Sequence, residues 1–94
     1  MESESAIAAM GALAQPTRLE AYGLIVKAGG DGLPVGELAR LLDVRQNSMS
    51  THLTILARAG IITPERRSRS IIYRADQDVL RSLIGFLSKF SGNE

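Results

Sequence analysis

Apolar residues recur along this chain at two different periods, and each change of period marks a change of element. In residues 6–14, Ile7, Met10 and Leu13 fall near one side of a short helix. The Gln15-Pro16 step, which biases residue 15 away from helical angles, ends it. Pro16 suits the first turn of a second helix that runs to about Lys27, with Leu19, Tyr22, Ile25 and Val26 as its stripe. Gly29-Gly30-Asp31-Gly32 stops that helix. Pro34 opens a third helix with Leu38, Leu41 and Leu42 on its buried side, and Asp43-Val44-Arg45 turns the chain into a fourth, residues 46–59. In the fourth helix Met49, Leu53 and Leu56 stand at i, i+4 and i+7. Beyond Gly60 the period changes. Ile61-Ile62-Thr63 and Ser70-Ile71-Ile72-Tyr73 are β-branched and aromatic runs flanking Arg66-Arg67-Ser68-Arg69, the pattern of a β-hairpin with a basic tip. Asp76 is placed to cap a last helix, about 76–90, in which Leu80, Leu83, Ile84 and Leu87 make one seam and Phe86 and Phe90 lie outside it.

One polar surface is left over by this assignment. The fourth helix carries Gln46, Asn47, Ser48, Ser50, Thr51 and Thr54 away from its apolar stripe, short uncharged hydrogen-bonding groups where a solvated helix usually carries Lys and Glu. The expected fold class is mainly α with a small β-hairpin (α+β), in the order α-α-α-α-β-β-α, as one domain over residues 1–94. Helix, short turn, helix and arginine-tipped hairpin together make a winged helix-turn-helix, whose second paired helix enters the major groove while the hairpin reaches the flanking backbone.

Composition changes the picture in three ways. A 94-residue chain that is 45% hydrophobic buries only a modest share of its apolar surface alone, so a homodimer is expected. The terminal helices, about 5–14 and 76–90, would supply its interface through Ile7, Met10, Leu13, Leu83, Phe86, Leu87 and Phe90. Net charge of +1 conceals a division. Residues 1–44 hold three Lys or Arg against six Asp or Glu, whereas residues 45–74 hold Arg45, Arg58, Arg66, Arg67, Arg69 and Arg74 against Glu65 alone. A local basic patch on a near-neutral chain suits phosphate contact at a defined place. The absence of cysteine removes disulfides, thiolate metal sites and thiol switches. The start of the chain is acidic and its first apolar run falls far short of the roughly 20 residues of a membrane span, so neither export nor a membrane partner is expected and the location is read as cytoplasmic.

Four segments now resemble a family: Ala12-Leu13-Ala14-Gln15-Pro16-Thr17-Arg18-Leu19, Gly36-Glu37-Leu38-Ala39, Met49-Ser50-Thr51-His52-Leu53 and Leu56-Ala57-Arg58-Ala59-Gly60-Ile61-Ile62. Across nearly the whole chain they resemble the ArsR family of winged helix-turn-helix repressors. The resemblance implies a homodimer on an inverted-repeat operator in double-stranded DNA, released in many members by a metal ion or another inducer. It also implies that Gln46, Asn47, Ser48, Ser50 and Thr51 face the groove and that Arg66, Arg67 and Arg69 form the wing. Side-chain chemistry agrees, because Gln and Asn pair bidentately with adenine and Ser and Thr meet base edges or phosphates.

The chain departs from the family in three places. Metal-sensing members carry a cysteine pair where this chain reads Pro34-Val35-Gly36. Others hold zinc between their last helices, but after Asp76-Gln77-Asp78 there is no histidine and no carboxylate before Glu94, and two aspartates do not make a closed zinc site. Arg45 stands where a Ser or Thr usually caps the reading helix; it cannot accept the free N–H groups, yet it is placed to reach a phosphate. No metal and no cofactor are therefore expected, and regulation by a small molecule, by a partner protein or by concentration alone all fit. The single histidine, His52, reads as a hydrogen-bonded structural residue rather than a ligand, and Met10 and Met49 as core or interface filler. No nucleophile elbow, phosphate loop or paired catalytic carboxylate is present, which argues against an enzyme. A winged-helix protein-interaction module is the alternative. Such a module has no need of three wing arginines beside an uncharged polar helix.

Overall fold

The computed structural model describes residues 1–92; Asn93 and Glu94, the ends of the domain expected over 1–94, lie outside the described residues. Five helices and a three-stranded antiparallel sheet follow in the order α1 (Ser3–Leu13), α2 (Pro16–Ala28), β1 (Leu33–Pro34), α3 (Val35–Leu42), α4 (Gln46–Arg58), β2 (Ile62–Arg67), β3 (Ser70–Ala75) and α5 (Gln77–Ser88). One-turn 3-10 segments, Gly29–Asp31 and Lys89–Ser91, follow α2 and α5. The fold class read from the sequence is the one observed.

The element it did not contain is β1. Pro34 does not open α3: it pairs with Ile72 while Leu33 pairs with Tyr73, and it stands at φ −78° and ψ 157° just before the helix begins at Val35. Two residues are too few to show an alternating pattern, and proline is tolerated because β1 is an edge of the β1-β3-β2 sheet. Gly32 lets the chain reach that edge. At φ +64° it lies so close to β3 that a Cβ would sit 2.6 Å from the Tyr73 carbonyl oxygen.

The core is built where the helices cross. Ile25, Leu38, Met49, Leu53, Leu56 and Ile61 are fully buried, and Tyr22, Ile62, Tyr73 and Leu83 nearly so. On α2 and α3 one stripe residue each differs from expectation: Leu19 is 56% exposed and Leu41 46%. On α2 the alanine at 21 takes the inward place, and on α3 Leu38 and Ala39 do. Likewise α1 turns Ala6, Ala9 and Ala12 inward, which brings its backbone close, and leaves Ile7 and Met10 outside.

Local chemistry fixes the helix ends that aim α4. Asp43 ends α3 in the left-handed region at φ 55°, with its N–H donating to Arg40 O and the N–H of Val44 donating to Ala39 O at 2.9 Å. This is the paired closure of a helix C-terminus, made here with aspartate where glycine is usual. At the other end Gly60, at φ 83°, repeats it, with Ile61 donating to Leu56 O. Asp76 caps α5 as expected, its Oδ1 accepting from Val79 N at 3.1 Å.

Candidate nucleic-acid interface

Because Met49, Leu53 and Leu56 are pinned in the core, the opposite side of α4 must face outward. Gln46, Asn47, Ser48 and Thr51 are exposed and Ser50 is half-buried at the edge of that face. Thr54 and Arg58 continue it at the i+7 and i+11 positions from Asn47, so the polar stripe extends about 16 Å at 1.5 Å per residue. Arg58 counts in the basic third of the sequence but is not among the residues expected to contact DNA. Its position in the stripe is legible from helical spacing alone, but the family pattern drew attention to the first two turns.

These side chains are not equally free to meet a partner. Thr51 donates its hydroxyl to Asn47 O at 3.2 Å and Thr54 to Ser50 O at 2.9 Å, so in this state both hydroxyls offer outward only as acceptors. Asn47 Oδ1 accepts from Ser48 N at 2.8 Å, which leaves its amide N–H groups available as donors. The amide of Gln46 lies back over α3, with Oε1 3.7 Å from the place a Cβ on Gly36 would take. Ser48 is exposed and its hydroxyl makes no hydrogen bond among the described residues.

Arg45 precedes α4 in extended geometry and makes no side-chain cap bond. The N–H groups of Gln46 and Asn47 thus stay unbonded among the described residues at an exposed, positive helix end. Arg45 is exposed beside them. The pair is suited to a phosphate oxygen.

In the wing, β2 and β3 pair from Ile62 with Ala75 to Arg67 with Ser70, joined by the two-residue turn Ser68-Arg69. Strand alternation then separates the arginines. Arg66 lies opposite Ile71, on the face that lower down holds buried Tyr73, whereas Arg67 lies opposite Ser70 on the face of Glu65 and Arg74. Arg69 sits at the tip. There Ser68 takes φ 56°, a conformation that a turn of this length usually gives to glycine. Arg66, Arg67 and Arg69 are all exposed.

Glu65 further distinguishes them. It is bonded to Arg74 and lies 3.6 Å from Arg67 Nε, while Arg74 Nε donates to Gly30 O at 2.7 Å. The hydrogen bond and charge of Arg74, with a smaller contribution from Arg67, hold the Glu65 carboxyl below the usual glutamate range. Arg67 is therefore partly neutralised, and Arg66 and Arg69 are not ion-paired among the described residues. Sequence reading treated the three as equivalent, because pairing with a residue two positions away depends on which strand face each occupies.

His52 lies on the inner flank of α4. Its Nδ1 is 3.2 Å from a guanidinium nitrogen of Arg18, whose Nε donates to Ala12 O at 2.7 Å and whose backbone N–H donates to Gln15 Oε1 at 2.8 Å. Arginine only donates, so Nδ1 accepts and the ring proton sits on Nε2. His52 is thus the hydrogen-bonded structural residue expected. Arg18 was missed: within an apparent amphipathic helix, nothing in its spacing shows that it ties the end of α1 to α4.

No cluster of three His, Asp or Glu side chains occurs among the described residues. Asp76 is committed to capping and Asp78 is paired with Arg81. No helix among the described residues is long and apolar enough to cross a membrane.

A core-anchored helix with a polar outer face, set beside a basic two-stranded wing, defines a winged helix-turn-helix of the DNA-binding class. A family model described as a helix-turn-helix domain matches residues 13–65. Over 79 residues the chain is 32% identical to the transcriptional repressor SdpR of Bacillus subtilis, covering 84% of each protein. Its fold matches an ArsR-like transcriptional regulator from Rhodococcus sp. RHA1 with a TM-score of 0.81 at 24% identity, over 95% of this chain and 81% of that one. It also matches the homodimeric winged helix-turn-helix DNA-binding domain of a possible ArsR-family regulator from Mycobacterium bovis, with a TM-score of 0.75 at 21% identity over 96% and 82% of the two chains. The chain belongs to the ArsR-family winged helix-turn-helix regulators, and it is a DNA-binding transcriptional regulator rather than an enzyme.

Proposed function

We propose that this protein is a homodimeric, sequence-specific repressor that binds an inverted-repeat operator, reading bases with α4 and gripping the backbone with the wing. The observation that carries the reading is the division of chemistry on one surface: an uncharged polar helix face, Gln46 to Thr51, beside a wing that exposes Arg66, Arg67 and Arg69. Ser48, Ser50, Asn47 and Gln46 address base edges. Arg45, with the free N–H groups behind it, and Arg66, Arg67 and Arg69 address phosphates or the minor groove. Thr51 contributes an acceptor at the edge of the groove.

The dimer forms through α1 and α5. Within one chain Leu83 and half-buried Phe86 are used by the chain's own core, so the interface is carried by Ile7, Met10, Ile84, Leu87 and Phe90, which are exposed by 37–79%. The homodimeric M. bovis relative and the repressor name of SdpR support assembly and sign of action. Metal does not regulate this repressor through either familiar family site. Pro34 and Gly36 offer no ligand, and the α5 aspartates are engaged by Val79 N and Arg81. It works in the cytoplasm, where its DNA is.

In vitro selection from random duplex DNA tests this reading. The expected product is an inverted repeat with half-sites about 10 base pairs, one helical turn, apart or a multiple of that. Recovery of a single unrepeated half-site, or of no motif, contradicts it.

A further inference from the structure

Three helices have an exposed interior glycine around which a Cβ would meet nothing within 4 Å: Gly11 in α1, Gly23 in α2 and Gly85 in α5. Glycine weakens a helix interior, and open space means that no contact within the chain requires it. Gly11 and Gly85 lie on the helices assigned to the dimer, where close approach of a second backbone is a sufficient reason. Gly23 lies on neither. It opens onto a groove of about 370 Å³ lined with Glu20, Leu24, Lys27 and Leu42, between α2 and α3. No residue of α1, α4, α5 or the wing borders that groove.

Glu20 and Lys27 are exposed, and neither forms an ion pair among the described residues. They stand seven residues apart on one side of α2, three before Gly23 and four after it. That arrangement is complementary to itself. When two copies of α2 cross antiparallel about a two-fold axis at Gly23 and Leu24, each Glu20 comes opposite the other copy's Lys27 at about 5 Å on either side of the axis. Gly23 lets the backbones approach, and Leu24 and Leu42 supply the apolar contact.

We propose that the α2 face is a second homotypic docking surface, through which two repressor dimers associate into a tetramer. The inference rests on the α1–α5 dimer proposed above, and the occupant is a second copy of this chain. A tetramer joined away from α4 and the wing leaves four reading helices free, so neighbouring operators are bound cooperatively.

Sedimentation velocity over a concentration series, on the full chain, tests it. The wild type is expected to pass from dimer to tetramer. Glu20→Lys and Lys27→Glu each set like charges against each other at two symmetric places and should weaken that step roughly ten- to thirty-fold, leaving dimers. The double variant, Glu20→Lys with Lys27→Glu, restores both pairs and should recover the tetramer. Gly23→Leu should raise the melting temperature of the chain, because the helix gains a better helix former whose Cβ meets nothing within 4 Å, and at the same time abolish the tetramer. A purely structural glycine moves both readouts the same way. A wild type that stays dimeric at every concentration, or a double variant that fails to recover what the single variants lose, overturns the proposal. Should the wild type pass only from monomer to dimer, with Glu20→Lys abolishing that dimer, the α2 contact stands and the α1–α5 interface is the reading that fails.

Discussion

Arg69 and Arg67 should fail differently when replaced by alanine, because one is free and the other already shares a carboxylate. Arg69 sits exposed at the wing tip without an ion pair among the described residues, so a phosphate contact costs it no existing partner. Each phosphate neutralised contributes about 0.9 to the slope of log K against log salt, so Arg69→Ala in both subunits should lower the slope by about 1.8. At about 0.1 M salt that is near two decades of affinity, about 2–3 kcal/mol for the dimer. The same loss is expected on operator and random DNA, since a phosphate carries no sequence information. Arg67 lies 3.6 Å from Glu65 and must share that partner to bind DNA, so Arg67→Ala should lose less than Arg69→Ala. Glu65→Gln should have the opposite sign, strengthening both DNAs and steepening the slope. Ser48→Ala provides the contrast: a lost base contact costs about 1–3 kcal/mol per half-site on the operator and leaves random DNA and the salt slope almost unchanged. Fluorescence anisotropy against operator and scrambled duplexes at four or five salt concentrations measures all of these. Arg69→Ala that leaves both slopes unchanged, or that weakens the operator alone, refutes the assignment of the wing to the backbone.

Three further outcomes follow from contacts elsewhere in the chain. Leu87→Asp places a charge on the apolar face shared by α1 and α5 and should convert the dimer to monomer in sedimentation while its helical circular dichroism is retained. Arg18→Ala removes the bonds to Ala12 O and His52 Nδ1 and should cost about 1–3 kcal/mol in denaturant unfolding, with Arg18→Lys a poor substitute because one ammonium does not reproduce the fork. Glu65 has its folded pKa lowered by Arg74, so its contribution to wing stability is fully present above the ordinary glutamate range and is lost only as pH falls through the lowered value. A carboxyl titration by NMR should show that depression, and Arg74→Ala should return Glu65 toward the usual range.

The parts of this fold that were legible in the sequence are those with long periodic signals or a single-residue cause. Met49, Leu53 and Leu56 oriented α4, Gln15-Pro16 separated α1 from α2, and Asp76 marked the start of α5. What escaped depends on pairing between distant segments. β1 exists only because β3 lies beside it, and β2 continues through polar Thr63-Pro64-Glu65, where no apolar alternation marks a strand. Burial was misjudged where a small residue competed with a large one. Ala21 and Ala39 took inward places and left Leu19 and Leu41 exposed, since close helix crossing rewards small side chains as well as apolar ones. At the candidate site the residue types were readable, but their states were not. Glu65 beside Arg67, Gln46 folded over Gly36 and Arg18 holding His52 all follow from side-chain geometry.

The central claim is that Arg45 to Thr51 and Arg66 to Arg69 form one DNA-binding surface. Backbone amide NMR of the isotopically labelled protein, titrated with the selected operator duplex, tests it most directly. The account predicts saturation at two chains per inverted repeat, with the largest shift changes in those two segments and little change at Glu20, Gly23 or Lys27. Changes concentrated on α2 or on the outer faces of α1 and α5, with α4 and the wing unmoved, would contradict it.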